Sequence, residues 1–345
     1  MVFLDVGIII AKYVCEEHNR RSEMSSNLTP KIKSIAVIGA GTMGPGITQS
    51  FAAGGYSVNI WEPDEKNREL AKTRIYDGLK VSGEQNLLDP SAIDEIYSRV
   101  RFAESLEDAV NGVQFVMETI VEKEDVKRSF YKELAEIVTK DMIVASNTSA
   151  LNIFEIVPPE LLPQQLIVHW YGPAQLIPLV EVVKSEEAPQ ELADAVVEMH
   201  KTCGKVPIQM KKFIRGYIVN RLLQCINREV FFLLDNGYCT AEDIDFAAKM
   251  SFIPRAMVLG ICKKIDFGGV DMSINNYKNH SYQLPPDVGL PETLKRMEEE
   301  KAFGIKTGKG FYDYEGQDIN ALLEKRDAQL AEAYKLAMKF IEDPV

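Results

Sequence analysis

A doubly wound, mostly parallel α/β sheet followed by a smaller all-α domain is the fold class this sequence predicts, and three observations carry that expectation. From Lys33 onward, short β-branched runs alternate with amphipathic helical segments, the rhythm of strand-helix-strand units. After Lys212 the strand signal stops and only helical periodicity continues. Between the first strand and the first helix stands a glycine-rich turn, "GAGTMG", residues Gly39 to Gly44.

In order, "SIAVIG" reads as a strand, "GITQSFAAGG" as a helix, "YSVNIW" as a strand and "DEKNRELAKTRIYDGLKVS" as a helix. "VQFVMETI" and "MIVASN" continue the strands, with the helix "EDVKRSFYKELAEIV" between them; "LIVHW" and "LVEVV" are further short apolar runs, and "VPIQM" follows the helix "PQELADAVVEMHKTCG". Beyond Lys212, "GYIVNRLLQCINREVFFLLDNG", "TAEDIDFAAKM", "LPETLKRMEEE" and the tail "ALLEKRDAQLAEAYKLAMKFIE" are helical. The expected organisation is an N-terminal extension at 1–30, a sheet domain at 31–211, a helical domain at 212–315 and a helical tail at 316–345. The apolar opening "MVFLDVGIIIAKYV" carries Asp5, lacks a basic lead and runs into polar sequence, which argues against a signal peptide. Residues 1–23 are therefore expected to be dispensable.

Composition narrows the function classes. With 39 Lys and Arg against 51 Asp and Glu, the net charge of −12 opposes general affinity for nucleic acid or an anionic membrane. The five cysteines form an odd set without a CxxC or a Cys/His metal spacing, so they read as small core residues of a cytoplasmic protein with no metal site.

Gly39, Gly41 and Gly44 make a GxGxxG turn with Thr42 and Met43 inside it. In a dinucleotide site of the Rossmann type, the first glycine allows the tight turn, the second lets backbone N–H groups approach a pyrophosphate, and the third lets helix and strand pack closely. Eighteen residues past Gly44 the next strand ends at Glu62, placed to accept from an adenosine ribose and to repel a 2′-phosphate, which favours NAD over NADP. Lys66 and Arg68 follow closely and read as solvated helix charges.

Hydride chemistry also needs a proton acceptor from the protein. Of four histidines, His169 ends the strand "LIVHW", at the edge where open α/β sheets bind ligands. Twelve residues later Glu181 stands among valines, where a lone carboxylate is costly unless paired. A His169–Glu181 pair would fix the imidazole tautomer and stabilise its protonated form, as a general base for an alcohol requires. The pattern also admits a solvent-facing Glu181 and a core His169. Asn147 and Ser149 in "ASNTSALNI", and Asn220 in "YIVNRLL", interrupt apolar runs and read either as functional groups or as caps and partnered amides.

"GAGTMGPGI", "ETIVEKEDVK", "SNTSAL", "HWYGPAQLIPLVEV", "GYIVNRLL" and "GIKTGKGFYDY" together resemble the L-3-hydroxyacyl-CoA dehydrogenase family, over nearly all of the chain from Lys33 to Tyr314. The resemblance implies an NAD-binding domain followed by a helical domain that usually dimerises, and the run Phe231, Phe232, Leu233 and Leu234 exceeds what one short helix can hide against its own domain, which also predicts a dimer. It implies His169 as acid/base with Glu181 as partner, Ser149 and Asn220 around the substrate oxygen and the histidine, Glu122 and Lys127 beside the nicotinamide half of NAD, and Lys306 near it. Where the family commonly has His-Phe-Phe-Asn-Pro, this chain has His169-Trp170-Tyr171-Gly172-Pro173. Arg215 stands where proline is usual, and "GLKVSGEQNLLDPS" lacks the lysine-rich character of CoA-binding members. Arg215 and Arg255 are candidate carboxylate partners, as in branches that oxidise free hydroxy acids such as gulonate or carnitine. Trp170 and Tyr171 are expected to crowd the site toward short 3-hydroxyacyl-CoA substrates. A non-catalytic NAD-binding protein and a crystallin-like structural protein remain as alternatives that need no such catalytic set.

Overall fold

The computed structural model describes residues 31–85 and 87–345; the N-terminal extension and its expected dispensability lie outside the described residues. The chain divides into two compact units, one ending at Tyr217 and the other spanning Ile218–Val345.

The first unit is built on an eight-stranded sheet of order β3-β2-β1-β4-β5-β6-β7-β8. Its strands are β1 (Ser34–Ile38), β2 (Ser57–Trp61), β3 (Val100–Phe102), β4 (Phe115–Glu118), β5 (Ile143–Ser146), β6 (Gln165–Trp170), β7 (Leu179–Lys184) and β8 (Val206–Gln209). All neighbours are parallel except β6 and β7, which run antiparallel. Strand β3 is absent from the sequence reading because three residues centred on Arg101, at the sheet edge, are too short to show a period.

Helices cover both faces, as a sheet buried on both sides requires. On one face α1 (Gly44–Ala53), α2 (Glu65–Glu84) and α6 (Gln190–Thr202) supply Ile47, Phe51, Ile75, Ala193 and Val196 to a core with Ile35, Val37, Leu166 and Val168. The short α3 (Ile93–Ser98) adds Ile96 to it. On the other face α4 (Leu106–Val110) and α5 (Glu124–Ile137) pack Leu106, Phe130, Tyr131 and Leu134 against Ala36, Val116 and Ile167. Phe51 is fully buried and meets Phe115 and Trp170 edge-on at 6.0 and 5.4 Å, so truncating it to Ala would cost about 3–5 kcal/mol. Helix α2 begins where Asp64 accepts from the Asn67 backbone N–H at 2.8 Å.

In the second unit, α7 (Val219–Asp235) ends with Asp235 accepting the backbone N–H groups of Glu292 and Thr293, which opens α12 (Glu292–Glu299). A reciprocal Thr240–Asp243 capping box starts α8 (Ala241–Ala247). A π-helical turn, Ala248–Phe252, joins it to α9 (Ile253–Leu259), and Gly260 and Gly269 punctuate α10 (Ile261–Gly268) and α11 (Val270–Lys278). The tail forms α13 (Ile319–Glu342), capped by Asp318, and belongs to this unit. Among the described residues no helix is long and apolar enough to cross a membrane.

Candidate active site

The antiparallel β6/β7 pair brings the two expected catalytic residues together. Their register sets His169 directly opposite Glu181, so both side chains project from the same face. His169 Nδ1 lies 3.0 Å from Glu181 Oε2, and both side chains are nearly inaccessible to solvent. The Tyr171 hydroxyl donates to the same carboxylate oxygen at 2.5 Å. The imidazole is held between two tyrosine rings: Tyr171 edge-on at 4.5 Å and Tyr217 tilted by 30° at 4.6 Å. Burial, and next the Glu181 carboxylate, push the Tyr171 hydroxyl well above its ordinary range; burial, and next Glu122, do the same to Tyr217. Both phenols therefore remain neutral donors at physiological pH.

Tyr217 is a residue that the pattern did not single out. It is fully buried at φ 50°, a left-handed conformation that costs a non-glycine residue about 1–2 kcal/mol, and Gly216 before it stands at φ 81°. That conformation is held by its hydroxyl bond to the Thr148 carbonyl at 2.8 Å and by its stack on His169. Arg215 precedes this turn and is exposed.

Trp170 corrects an expectation. Alternation along β6 turns its indole to the opposite face from His169, where it packs against Phe51 and His200, so it does not crowd the histidine. Of the two aromatic residues expected there, only Tyr171 lines it.

The loop carrying Ser149 is shaped by a carboxylate. Glu122, partly exposed, accepts from Thr148 Oγ1 at 2.6 Å and from the backbone N–H groups of Ser149 and Ala150 at 3.0 Å. Burial raises its carboxyl, but these bonds and the Lys127 charge outweigh that and hold it below the usual carboxylate range. The Ser149 side chain is left exposed beside this turn. Asn147 Oδ1 accepts the Trp170 backbone N–H at 2.8 Å, tying the ends of β5 and β6. Lys127 is fully buried: its Nζ lies 2.6 Å from Glu118 Oε1 and 3.5 Å from Glu122 Oε2. Glu118, at the end of β4, also accepts from Ser146 Oγ at 2.6 Å, Tyr131 OH at 3.1 Å and the Ile120 backbone at 2.8 Å. A buried ion pair is tolerated when its remaining lone pairs are filled in this way.

The glycine turn meets the edge of the sheet between β1 and β4, where the strand order reverses. Gly39, at φ 102°, has the Thr119 backbone 3.0 Å from where a Cβ would stand, and a Cβ on Gly44 would fall 2.0 Å from the Gly39 carbonyl oxygen. A Cβ on Gly41 would meet nothing within 4 Å, so that side of the turn is open. Thr42 is exposed and Met43 partly buried. The first turn of α1 has neither a side-chain cap nor an acidic residue, which leaves its N–H groups for an anion. Glu62 is buried at the end of β2, with one oxygen on the Ala40 N–H at 2.8 Å and the other on the Asp64 N–H at 3.1 Å.

Three expected residues belong to the second unit. Asn220 lies in the first turn of α7, and Lys306 is exposed on the turn Ile305–Thr307, inside a small ribbon closed by Gly304–Lys309 and Lys309–Asp313 bridges. Arg255 turns its guanidinium back onto Ser251, bonding the carbonyl at 3.0 Å and the hydroxyl at 2.9 Å.

Residues 34–213 match the family described as 3-hydroxyacyl-CoA dehydrogenase, NAD binding domain, and residues 216–314 match 3-hydroxyacyl-CoA dehydrogenase, C-terminal domain. The chain belongs to the 3-hydroxyacyl-CoA dehydrogenase family. It is 33% identical to mitochondrial hydroxyacyl-coenzyme A dehydrogenase of Sus scrofa over 82% of this chain and 91% of that protein. It is 29% identical to 5-formyl-3-hydroxy-2-methylpyridine 4-carboxylate 5-dehydrogenase of Mesorhizobium japonicum, over 87% of this chain and 96% of that one. A crystal structure of a 5-dehydrogenase of the same pyridine carboxylic acid, described as an NAD+-dependent dismutase, superposes with TM-score 0.79 and 26% identity, covering 91% of this chain and 100% of that one.

As a member of the 3-hydroxyacyl-CoA dehydrogenase family, the protein is an NAD-dependent oxidoreductase, and the residues present fit that cofactor. The open flank of Gly41 and the uncapped start of α1 suit a pyrophosphate, and the anchored Glu62 suits a ribose diol. Gly172 offers no side-chain amide where dehydrogenases of this family commonly carry one; a Cβ there would meet only Met43 Sδ, at 3.5 Å.

Proposed function

We propose that this protein interconverts a short-chain 3-hydroxyacyl-CoA and the corresponding 3-ketoacyl-CoA, with His169 as the acid/base. The observation that carries this reading is the buried His169–Glu181 pair at 3.0 Å. Bound NAD supplies the hydride acceptor in the oxidising direction and the donor in the reducing one. With Nδ1 committed to Glu181, His169 takes the substrate hydroxyl proton on Nε2, and the carboxylate stabilises the imidazolium that forms. In reduction the same proton returns from Nε2 to the carbonyl oxygen. Ser149, presented by the Glu122-bound turn, holds the substrate oxygen, and the family resemblance assigns Asn220 to the same catalytic set. Glu62 takes the adenosine ribose, with Glu122 and Lys127 toward the nicotinamide end, and the family resemblance assigns Lys306 to the cofactor as well. Tyr171 at the imidazole edge narrows the site and supports a short acyl group.

A homodimer assembled through the helical unit is part of this reading. Leu222, Leu223 and Ile226 of α7 and Phe246, Met250 and Phe267 beyond it are exposed, and apolar exposure on this scale marks association surfaces. The run Phe231 to Leu234, expected to drive that association, is instead partly buried within the unit, with Phe231 stacked on Phe311 at 6.4 Å. A cytoplasmic location is supported by free thiols at Cys203, Cys225, Cys239 and Cys262.

The test is NADH consumption, followed by absorbance, with acetoacetyl-CoA and a panel of longer 3-ketoacyl-CoAs and free 3-keto acids. His169→Ala should lower kcat by about 10²- to 10⁴-fold with NADH affinity little changed. A His169 variant that turns over normally would refute the mechanism. A free hydroxy acid is the second reading, favoured by the match to a dehydrogenase named for a pyridine carboxylate over 96% of that protein and by the exposed Arg215. If a free keto acid is the better substrate, and Arg215→Met or Arg255→Met costs about 2 kcal/mol or more in its kcat/KM while sparing the thioester, the second reading replaces the first.

A further inference from the structure

We propose that Tyr171 is a positioning residue that sets how strongly the His169–Glu181 pair holds its proton, by donating its hydroxyl to the carboxylate oxygen that His169 meets. The proposal rests on the reading of His169 as the acid/base. Its ground is the convergence of two donors on Glu181 Oε2: the phenol at 2.5 Å and the imidazole Nδ1 at 3.0 Å. A carboxylate oxygen that already accepts a short hydrogen bond has less charge left for a second partner. It stabilises an imidazolium less than an oxygen accepting from the histidine alone.

Geometry makes the phenol a fixed participant. Its ring packs edge-on against the imidazole at 4.5 Å, so the contact that orients the hydroxyl also restrains the histidine. Burial and Glu181 keep the phenol protonated through the working pH range, so it acts as a donor throughout.

Glu181 comes from β7 and Tyr217 from the segment before α7; the Tyr217 hydroxyl bonds the Thr148 carbonyl. Glu122 and Glu118 act on Tyr217 electrostatically, and Lys127 lies between these two carboxylates. Tyr171 bonds the pair directly and can be altered by removing one oxygen atom.

The sign follows from the chemistry. Oxidation requires a neutral imidazole and reduction an imidazolium. Removing the phenolic donor in Tyr171→Phe leaves more carboxylate charge facing His169 and favours imidazolium. The midpoint of the oxidation pH profile should move upward by about half a unit to one unit, the scale of one net hydrogen bond. On the acidic limb, oxidation should slow roughly three- to tenfold, and on the alkaline limb reduction should gain by the same factor.

The test uses the full chain with saturating NAD. The protonation midpoint of His169 is read by NMR of the imidazole Cε1–H, assigned with His169→Asn, in the parent, Tyr171→Phe and Tyr217→Phe. An upward shift of about half a unit or more in Tyr171→Phe, with a smaller shift in Tyr217→Phe, is the expected result. No shift, a downward shift, or an equal shift in both variants overturns the proposal. Kinetic pH profiles judge the acid/base reading separately: if the NMR midpoint moves and the rate profile does not follow, Tyr171 still tunes the pair but His169 is not the group that limits turnover.

Discussion

Replacing Glu181 with Gln isolates the charge of the buried pair from its shape. The amide keeps an oxygen that can accept from both the Tyr171 hydroxyl and His169 Nδ1, so the packing around the pair survives. What is lost is the attraction between carboxylate and imidazolium. With the contact atoms 3.0 Å apart, the charge centres are about 4 Å apart, where a pair is worth about 4 kcal/mol at an effective dielectric of ~20. Part of that is retained as a hydrogen bond to a neutral oxygen, leaving a net loss of about 2–4 kcal/mol. Because the imidazolium forms as the alcohol proton is taken, the loss falls on the transition state. It should lower kcat/KM for oxidation by about 30- to 1,000-fold. The assay is initial NADH formation at saturating NAD+ in the parent and Glu181→Gln, with cofactor affinity and thermal midpoint measured on both to confirm that the fold and the nucleotide end are intact. A kcat/KM within about fivefold of the parent would refute the idea that the carboxylate stabilises charge on His169.

Three further outcomes are expected. Glu62→Ala should narrow the preference for NADH over NADPH in direct binding titrations, because it removes the ribose acceptor and the charge that repels a 2′-phosphate; a parent protein that uses NADPH equally well would contradict this. Burial pushes the His200 imidazole down to about 4, below its unfolded value, so the unfolded chain takes the proton first on acidification; its share of stability is present above about pH 6.5 and should fall by roughly 3 kcal/mol as pH drops to 4. Urea unfolding between those pH values should show a shallower slope in His200→Gln, and identical slopes would count against it. Light scattering at micromolar concentration should give a dimer mass, and Leu222→Glu with Ile226→Glu should shift it toward monomer; a monomeric parent would refute the association surface.

Most of the fold was legible because its signals are local. Alternating periods of two and 3.6 residues, with glycines at the turns, marked seven of the eight strands and the principal helices. The antiparallel β6/β7 pair was also available to the sequence reading and was not drawn from it. Trp170 and Leu179 are separated by eight residues, fewer than the dozen or so that a parallel crossover needs. Recognising that would have made the two strands antiparallel neighbours and given the His169–Glu181 pairing a topological ground beside the burial argument. It would also have turned Trp170 away from the site, since adjacent residues on a strand face opposite sides. The α7 segment misled for a different reason: helical periodicity shows that a stripe is apolar, but not which neighbour covers Phe231 or leaves Leu222 bare.

The site shows the same principle applied once and missed once. A carboxylate inside an apolar strand must find a partner, and that argument led from Glu181 to His169. Glu118 in "VQFVMETI" poses the same demand, and its partner is Lys127, nine residues on and one helical turn into α5. Lys127 reads as a solvated helix charge when its helix is considered alone; its burial follows only when the end of β4 is seen to need a cation. Through the 3.5 Å contact to Glu122, that buried pair also supports the turn that presents Ser149. Tyr217 had no comparable signal. A tyrosine in the left-handed region is not a choice that local preference makes, and its place against His169 depends on Gly216 turning the chain and on the Thr148 carbonyl, just past the end of β5 in the Ser149 loop. Groups whose burial creates a need within their own element can thus be inferred from sequence, whereas groups recruited by the tertiary contact itself become visible only once the strands are laid side by side.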